Sequence, residues 1–389
     1  MRLAVIGAGP IGLEAALAAR EHGHQVTVYE QAVTVAGHVR RWGHVRMFTP
    51  WEMNVTPRMA AALGDRAPHR SGLPTGTEFA TAVLEPLAQT PALTGTVRVD
   101  TTVLAVGREG MLKHEAIGSP ERAARRFRVL MQDPSGVEEV AYADAVIDAT
   151  GTYGNPNRLG DGGIDAPGER ALENRITRTL EPIEQFAGRA MLLTGAGHSA
   201  QTAAVALAEL ARHAPDTRVV WAMRRRDPVF KLPEDPLPAR DALHTEAEML
   251  VRGASRAVDV RPGVVTDALA IGDSGQVRVT LRNGDTQHVD VDHILALNGS
   301  APDASLYRQL QIHECYASLG PMNLAAQLLA QGDDAGNCLA IAPTGPETLL
   351  NPEPGFFILG AKSYGRNSQF LLRTGWEQVN AVFDTLLDR

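Results

Sequence analysis

The sequence predicts an α/β protein in which one arrangement, a βαβ unit followed by a three-stranded antiparallel meander, occurs twice. Three observations lead to this prediction. Glycine-rich turns follow apolar runs in "LAVIGAGPIGLEAA" from Leu3 and in "MLLTGAGHSAQTAA" from Met191. Several strand-like segments follow each turn. Each series then ends on a strand that closes on glycine, "DATG" at 148–151 and "ALNG" at 296–299.

The first copy begins with a short apolar strand at 3–6, the turn "GAGPIG" and an Ala/Leu-rich helix at 11–21. His22-Gly23-His24 ends this helix, and the next strand, Gln25–Tyr29, ends on Glu30. This is the pattern of a βαβ unit. Residues 31–95 are less regular, with a helix expected near 78–89, and we interpret them as an insertion in the first copy.

The meanders follow from strand-like segments and turn residues. In the first copy, "DPSG" at 133–136 joins two strands as a hairpin, and in the second copy Asn283-Gly284 does the same. The second copy also has a helix at 200–213 and the strand "RVVWAMRRR" at 218–226. A final helix is expected near the carboxyl terminus, with Asn367 or Ser368 as its cap.

The repeat predicts the domain boundaries. A first domain would take residues 1–175, with the insertion at about 31–95, and a second domain residues 176–295. Residues 296–389 would return to the first domain, so that the second domain is inserted in the first. Chain length alone also favours more than one domain, because 389 residues exceed the usual size of a single core.

Composition excludes several classes of function. The formal net charge is −8 and the longest basic run is Arg224–Arg226, which argues against nucleic-acid binding. The two cysteines, Cys315 and Cys338, form neither a disulfide framework nor a CxxC motif. The amino-terminal apolar segment is punctuated by Gly, Pro and Glu14, so neither a signal peptide nor a membrane span is expected. We therefore expect a cytoplasmic protein.

The first glycine-rich turn has the residues that cradle a diphosphate. Gly7 allows the tight turn, Gly9 lets the backbone approach a phosphate, and Gly12 lets the helix pack closely on the strand. Pro10 lies beside them in the turn. The helix start offers free N–H groups and a positive dipole end. The carboxylate of Glu30, at the end of the second strand, is placed to accept hydrogen bonds from ribose hydroxyls.

The second turn differs from the first in charge. Its third glycine is replaced by alanine, and its second strand ends on arginines instead of an acid. Guanidinium groups pair with a 2′-phosphate, which an acid would repel, so this turn indicates NADP rather than NAD. A solvated basic turn is the alternative. The residues predicted to bind NADPH are Gly195, Gly197, His198, Ser199, Ala200, Arg224, Arg225 and Arg226.

These motifs resemble the FAD/NAD(P)H flavoprotein superfamily, which includes thioredoxin reductases, glutathione-reductase-like enzymes and flavin-containing monooxygenases. The resemblance adds "FILG" at 357–360 and covers nearly the whole chain. It implies two Rossmann-like domains, each with a three-stranded β-meander, with FAD on the first and NADPH on the second. By this resemblance Thr150, Gly151 and Gly360 line FAD, and Val103 contacts the adenine through its backbone.

Within the superfamily, "EQFAGRAMLLTGAGHSA" looks like the entry to the NADPH domain of flavin-containing and N-hydroxylating monooxygenases. The sequence departs from that pattern at three places. Arg189 stands where the family has Lys, and Leu193 stands where the Phe-x-Gly-x-x-x-His fingerprint has His. The Gly-Gly-x-Trp stretch after the acid is replaced by "AGHVRRWGH". The resemblance therefore marks a relative of these monooxygenases.

The sequence leaves three alternatives for the function of the bound flavin. Oxygen is favoured, because no redox cysteine motif is present, and the protein would then be a monooxygenase that oxygenates a small molecule, at N or S, through a flavin hydroperoxide. The second alternative is an NADPH-dependent reductase that passes electrons to a partner protein, a quinone or another acceptor. The third is a flavin-binding regulatory protein without turnover. Substrate identity and oligomeric state are left open.

The insertion is the predicted place of the flavin and substrate pocket. "GHVRRWGHVRMFTPWEMN" carries His44, Arg46, Trp51 and Asn54, with Arg46 as an anchor for an anionic substrate group. The alternative is a surface loop whose aromatic residues pack on the first domain. "KSYGRNSQF", near the presumed flavin end, mixes Lys362 with other polar residues, and helix capping is its alternative. No spacing of His, Cys or Asp suggests a metal site.

Overall fold

The computed structural model describes residues 1–68, 71–228, 234–330 and 345–387. Numbered along the chain, the strands are β1 (Arg2–Ile6), β2 (Gln25–Tyr29), β3 (Val97–Arg98), β4 (Thr102–Arg108), β5 (Phe127–Gln132), β6 (Glu138–Ala143), β7 (Ala145–Asp148), β8 (Ile176–Thr177), β9 (Ala190–Thr194), β10 (Arg218–Met223), β11 (Val258–Pro262), β12 (Val265–Ile271), β13 (Val277–Asn283), β14 (Asp285–Val291), β15 (His293–Ala296) and β16 (Phe356–Ile358). The α-helices are α1 (Pro10–Glu21), α2 (Gly37–Arg41), α3 (Trp51–Asn54), α4 (Pro57–Leu63), α5 (Gly76–Phe79), α6 (Glu85–Ala88), α7 (Pro120–Ala123), α8 (His198–His213), α9 (Pro238–Val251), α10 (Met322–Ala330) and α11 (Leu372–Ala381).

The chain forms two compact units. Unit 1 contains residues 1–155 and 301–389, and unit 2 contains residues 156–300. The carboxyl-terminal segment therefore belongs to the same unit as the amino terminus. The boundaries at 175/176 and 295/296 differ from this division, because residues before β8 pair with the residues that follow β15: Asn157 donates its N–H to Gly299 O at 3.0 Å, and Pro156 forms a bridge with Ser300.

Unit 1 is built on a parallel five-stranded sheet in the order β16-β7-β1-β2-β3. Helices α1 and α11 cover one face of this sheet. Their buried apolar residues, among them Leu13, Leu17 and Val379, pack in one core with Val5 and Ile147. The antiparallel meander β4-β5-β6 covers the other face with a second core. A parallel sheet with both faces covered explains why its strands are almost continuously apolar.

Unit 2 repeats this architecture. Its parallel sheet has the order β11-β10-β9-β15-β8, and its meander is β12-β13-β14. The core of this unit joins Leu192 and Ile294 of the sheet to Val277, Val279 and Leu281 of the meander. The predicted repeat of βαβ unit, meander and closing strand is confirmed in both units, and with it the prediction of two Rossmann-like domains.

Two local predictions need correction. The helix expected at 78–89 begins earlier, with a capping box of Thr75 and Glu78, and passes through a π-helical turn between α5 and α6. The final helix begins at Leu372 without a side-chain cap. The Asn367 side chain instead accepts the N–H of Gln369 at 2.9 Å, which forms a local turn before the helix. The short strands β3 and β8 were not predicted.

Candidate functional site

The three glycines of the first turn have different surroundings. Gly7 has a φ of +100°, and a β-carbon on it would lie 2.8 Å from Ala149 O. A β-carbon on Gly12 would lie 1.8 Å from Gly7 O, whereas one on Gly9 would have no atom within 4 Å. Packing therefore requires glycine at the first and third positions. The second position leaves an open cradle of the kind that a diphosphate fills.

The start of α1 provides the amide groups for this cradle. The helix begins with Pro10 at its first position, and no side chain caps the N–H groups of its first turn. Those amides and the positive end of the helix dipole attract an anion. The residues of this turn thus fit the diphosphate of a dinucleotide.

Glu30 is joined to the turn by its carboxylate. It accepts the N–H of Ala8 at 2.8 Å and the N–H of Ala32 at 2.9 Å. The side chain is buried, and Glu30 also exchanges backbone hydrogen bonds with the segment before β4: its N–H donates to Arg98 O and its carbonyl accepts from Thr101 N–H. The start of β4, including Val103, therefore follows directly after the contact with Glu30.

The second turn repeats this geometry in unit 2. Gly195 has a φ of +110°, and a β-carbon on it would lie 2.2 Å from Leu297 O, whereas Gly197 again has open space. Ala200, in the third position, is fully buried. The indole N–H of Trp221 donates to Gly195 O at 2.9 Å. Two buried side-chain atoms, Thr194 Oγ1 and Gln201 Oε1, have no hydrogen-bond partner in the part of the chain that the structure describes.

The two units differ in charge at the end of the second strand. Arg224, Arg225 and Arg226 follow β10 directly and are exposed. None of them forms an ion pair with an acid among the described residues. Their backbone is held by a hydrogen bond from Gly263 N–H to Arg225 O at 3.0 Å. Three guanidinium groups thus stand where unit 1 has the carboxylate of Glu30, which suits a nucleotide phosphate.

His198, the first residue of α8, stacks on a histidine of α9. The ring centroids of His198 and His244 lie 5.4 Å apart with an interplanar angle of 13°. Desolvation, together with the positive charges of His244 and Arg240, lowers the pKa of His198 to about 4. Desolvation lowers the pKa of the buried His244 as well. Both imidazoles are therefore neutral at pH 7 without a ligand.

The closing strands end in left-handed glycines in both units, Gly151 with a φ of +69° and Gly299 with a φ of +76°. In unit 1, Asp148 and Thr150 precede this corner. The Asp148 carboxylate accepts the N–H and the hydroxyl of Thr150 at 3.1 and 2.7 Å, and the ammonium of Lys362 at 2.7 Å. A buried ion pair thus joins the corner to the turn after β16, and no sequence pattern indicated the pairing of Asp148 with Lys362.

The glycine corner after β16 packs on the start of α1. A β-carbon on Gly360, whose φ is +75°, would lie 3.2 Å from Ile11 Cγ1. Gly360 N–H donates to Gln378 Oε1 at 2.8 Å, and Gln378 Nε2 donates to Ser363 Oγ at 2.8 Å. In this way α11 holds the turn at 360–364 against the helix that begins the first cradle.

The residues predicted for the substrate pocket are found in different surroundings. Trp51 is buried in the unit 1 core, and the buried amide of Asn54 donates to Thr49 O and Pro50 O at 2.8 Å. His44 and Arg46 are exposed, and Arg46 donates to Leu73 O at 2.6 Å. These contacts hold the loop together, and none of the hydrogen bonds joins two of the four side chains.

His38, which sequence reasoning did not select, lies next to the Thr-Gly corner. Its ring centroid is 6.0 Å from that of Tyr153, and a β-carbon on Gly154 would lie 4.0 Å from its Nε2. Burial and the charge of Arg41 lower the pKa of His38, and its buried Nδ1 has no hydrogen-bond partner within the described ranges. In the sequence, only the position of His38 in the insertion pointed to a functional role. That position does not distinguish His38 from the other residues of the insertion.

Two further searches concern other kinds of site. No group of His, Cys, Asp or Glu side chains in the described residues has the arrangement of a metal site. Among the described helices, none combines the length and the apolar character that crossing a membrane requires.

Residues 1–315 match the family model for the pyridine nucleotide-disulphide oxidoreductases. The chain belongs to this family. Members of the pyridine nucleotide-disulphide oxidoreductase family use FAD and NAD(P)H, so the protein is an oxidoreductase with these cofactors. A search of curated protein sequences finds no significant match.

Solved structures with this fold include several kinds of enzyme. Bacillithiol disulfide reductase from Bacillus cereus has a TM-score of 0.75 at 18% identity, with 100% of both chains covered. Ornithine N-hydroxylase from Kutzneria sp. 744 has a TM-score of 0.65 at 17% identity, with 100% of this chain and 99% of that chain covered. Thioredoxin reductase from T. acidophilum has a TM-score of 0.61 at 15% identity, with 98% and 97% covered. At such identities the likeness shows the fold alone.

Proposed function

We propose that this member of the family oxidises NADPH and oxygenates a small molecule, at nitrogen or sulfur. FAD would be held by unit 1 and NADPH would bind to unit 2. The observation that carries the proposal is the pair of open glycine cradles with opposite charges at the ends of β2 and β10. When bound, FAD would supply the two-electron chemistry.

For FAD, the proposed binding residues are Gly7, Gly9, Pro10, Gly12, Glu30, Val103, Thr150, Gly151 and Gly360. The amides at the start of α1 would bind the diphosphate, and Glu30 would accept hydrogen bonds from the ribose. Because Ala8 and Ala32 already donate to the Glu30 carboxylate, its orientation is set before any ligand binds. Preorganisation of this kind reduces the entropy lost on binding.

NADPH rather than NADH is proposed from the charge of unit 2. The three exposed arginines after β10 offer several donors to a 2′-phosphate, and the carboxylate that would repel this phosphate is in unit 1. Gly195, Gly197, His198, Ser199 and Ala200 would surround the diphosphate at the start of α8.

Oxygen is proposed as the acceptor from the cysteine content. The sequence has two cysteines, Cys315 and Cys338, and no CxxC motif. A reductase that works through its own dithiol needs two cysteines beside the flavin. Cys338 lies outside the described residues, and Cys315 lies on the loop after Glu314. Oxygenation requires no thiol, only a pocket that excludes water.

The substrate is proposed to meet the loop that carries His44, Arg46, Trp51 and Asn54. Arg46 uses one N–H for Leu73 O, which leaves the other guanidinium donors for an anionic substrate group. The buried Trp51 and Asn54 would shape the loop: Asn54 closes the turn at 49–50 through two carbonyls.

The experiment measures NADPH, oxygen and hydrogen peroxide together in the presence of a panel of primary amines and thioethers. The proposal expects one compound to accelerate NADPH oxidation at least about tenfold, with one oxygen atom from ¹⁸O₂ in the product for each NADPH consumed. Arg46→Ala should then raise KM for an anionic substrate more than it lowers kcat. NADPH oxidation that proceeds at the same rate under argon with an added acceptor, and gives no oxygenated product, would contradict oxygenation.

A second candidate is a reductase that passes electrons to a disulfide, a quinone or a partner protein. The family match favours it, because the family is described by disulphide oxidoreduction. Hydrogen bonds from Ser318 and Ala317 lower the pKa of the Cys315 thiol. If a thiol takes part, Cys315→Ser should abolish disulfide reduction, and Ser318→Ala should shift its pH profile upward. Oxygenation would be unaffected by either variant.

A third possibility, a flavin-binding regulatory protein without turnover, is tested by the same assay. It requires bound FAD and no NADPH oxidation with any oxygenation substrate or acceptor.

A further inference from the structure

A buried ion pair in unit 1 joins the two segments that are proposed to line FAD. Lys362 lies in the turn after β16, and Asp148 is the last residue of β7. Their side chains are 2% and 0% exposed, and Lys362 Nζ lies 2.7 Å from Asp148 Oδ2. Neither glycine fingerprints nor strand patterns account for this pair.

The surroundings of the ammonium group complete its coordination. Lys362 Nζ also donates to Thr150 Oγ1 at 3.1 Å and lies 5.0 Å from the centroid of the Tyr307 ring. Burial and a hydrogen bond to Glu314 raise the pKa of Tyr307, so its hydroxyl remains neutral and donates to Glu314. The lysine thus has a carboxylate, a hydroxyl and an aromatic face as partners.

Stability alone does not explain such a pair. Transfer of two charges from water to a protein interior costs about as much free energy as their attraction returns, and well-packed apolar residues often serve as well. What the pair does that apolar residues cannot do is determine a hydrogen-bond pattern. Asp148 accepts both the N–H and the hydroxyl of Thr150. Lys362, in the turn at 360–364, donates to the Asp148 carboxylate and to the Thr150 hydroxyl, and so joins both residues to that turn.

We propose that Lys362 is a positioning residue for FAD. Its side chain holds the Thr150-Gly151 corner and the Gly360 corner in the mutual arrangement that binds the cofactor. This inference rests on the proposed assignment of Thr150, Gly151 and Gly360 to FAD. Lys362 would thus belong to the FAD site without contacting FAD, and would act through Asp148 and Thr150.

Unit 1 offers a matched control for the loss of a buried charge. Glu353 is 0% exposed in its side chain and pairs with Arg108 Nε at 2.6 Å and with Arg122 Nη2 at 2.7 Å. This cluster joins β4, α7 and the segment before β16, and none of its members belongs to the proposed FAD site. Glu353→Gln should therefore destabilise unit 1 without affecting the FAD corners.

The test compares FAD dissociation constants, measured by flavin fluorescence on reconstitution of the full chain, for Lys362→Met and Glu353→Gln. We expect Lys362→Met to weaken FAD binding at least about tenfold and to change the visible spectrum of the bound flavin. Glu353→Gln should lower the melting temperature of the apoprotein about as much as Lys362→Met does. It should leave both the FAD dissociation constant and the visible spectrum of the bound flavin unchanged. Equal FAD affinities for the two variants would overturn the inference.

Two further variants separate positioning from other causes. In Asp148→Asn combined with Lys362→Met no buried charge is left unpaired, so stability should recover while FAD binding stays weak. Recovery of FAD binding would show that a stray charge was the cause and would overturn the inference. Gly9→Val tests the site itself: if it abolishes FAD binding while Lys362→Met does not weaken it, the assignment of the site stands and the role of Lys362 falls.

Discussion

A β-carbon on Gly12 would lie 1.8 Å from the carbonyl oxygen of Gly7, at the crossing of the first helix and the first turn of the chain. The glycine between them, Gly9, has no atom within 4 Å of such a β-carbon. The same motif thus contains one position at which the fold requires glycine and one position at which the fold leaves open space. Substitutions at these two positions should therefore distinguish a defect in folding from a loss of cofactor binding.

Gly9→Val is expected to fold and to lose FAD. Gly9 has a φ of −79° and a ψ of −174°, which valine adopts without strain. The added side chain would occupy the space proposed for the diphosphate. The purified variant should be colourless, with an apoprotein melting temperature within about 3 °C of the wild-type apoprotein.

Gly12→Val is the control for this prediction. Its side chain collides with backbone that cannot move away, so the variant should fail to fold or melt far below wild type. If Gly9→Val retained a full complement of flavin, the diphosphate would not lie at this turn.

Gly197→Val applies the same logic to unit 2. Gly197 has a φ of −75° and a ψ of 177°, and its β-carbon would also meet open space. The variant should keep its FAD, because unit 1 is unchanged, and lose reduction by NADPH at least about a hundredfold. Anaerobic stopped-flow absorbance measures both quantities. A variant that is reduced as fast as wild type would place the nicotinamide nucleotide elsewhere.

His198 predicts a dependence of stability on pH. Its pKa is lowered to about 4 in the folded protein, below the ordinary value of 6.5. Between these two values the unfolded chain holds a proton that the folded chain does not, so the free energy of unfolding should fall as pH falls from about 6.5 to about 4. The decrease should be small, because His198 is exposed and water screens its charge. Denaturant titrations across this range measure the slope.

His198→Gln should reduce that slope and not abolish it, because the pKa of His244 is lowered in the same unit. Identical slopes for the variant and the wild type would show that the stacked pair does not titrate as stated.

Much of the fold could be predicted from sequence because its signals are local. The turn glycines, the apolar strands and Asn283-Gly284 each determine the conformation of their own neighbourhood, and their repetition gave both units. The short strands β3 and β8 could not be predicted in this way. Ile176 and Thr177 become a strand only because β15 is beside them.

In the candidate site, too, the residues that follow local patterns could be predicted, and the contacts between distant segments could not. Glu30 and Arg224 follow strands, so their places at the sheet edge follow from the pattern. The contact of Lys362 with Asp148 joins residues that are distant in sequence, and no local pattern connects them. The stacking of His198 on His244 likewise depends on how two helices pack.

Our proposal for the two cofactors is that unit 1 holds FAD and unit 2 receives NADPH through Arg224, Arg225 and Arg226. The most direct measurement is the anaerobic reduction of the bound flavin by NADPH and by NADH, for the wild type and for a variant with all three arginines changed to serine. We expect subsaturating NADPH to reduce the wild type at least about tenfold faster than NADH does, and we expect the variant to lose this preference through slower reduction by NADPH alone. A wild type that NADH reduces as efficiently as NADPH, or a variant with an unchanged preference, would contradict it.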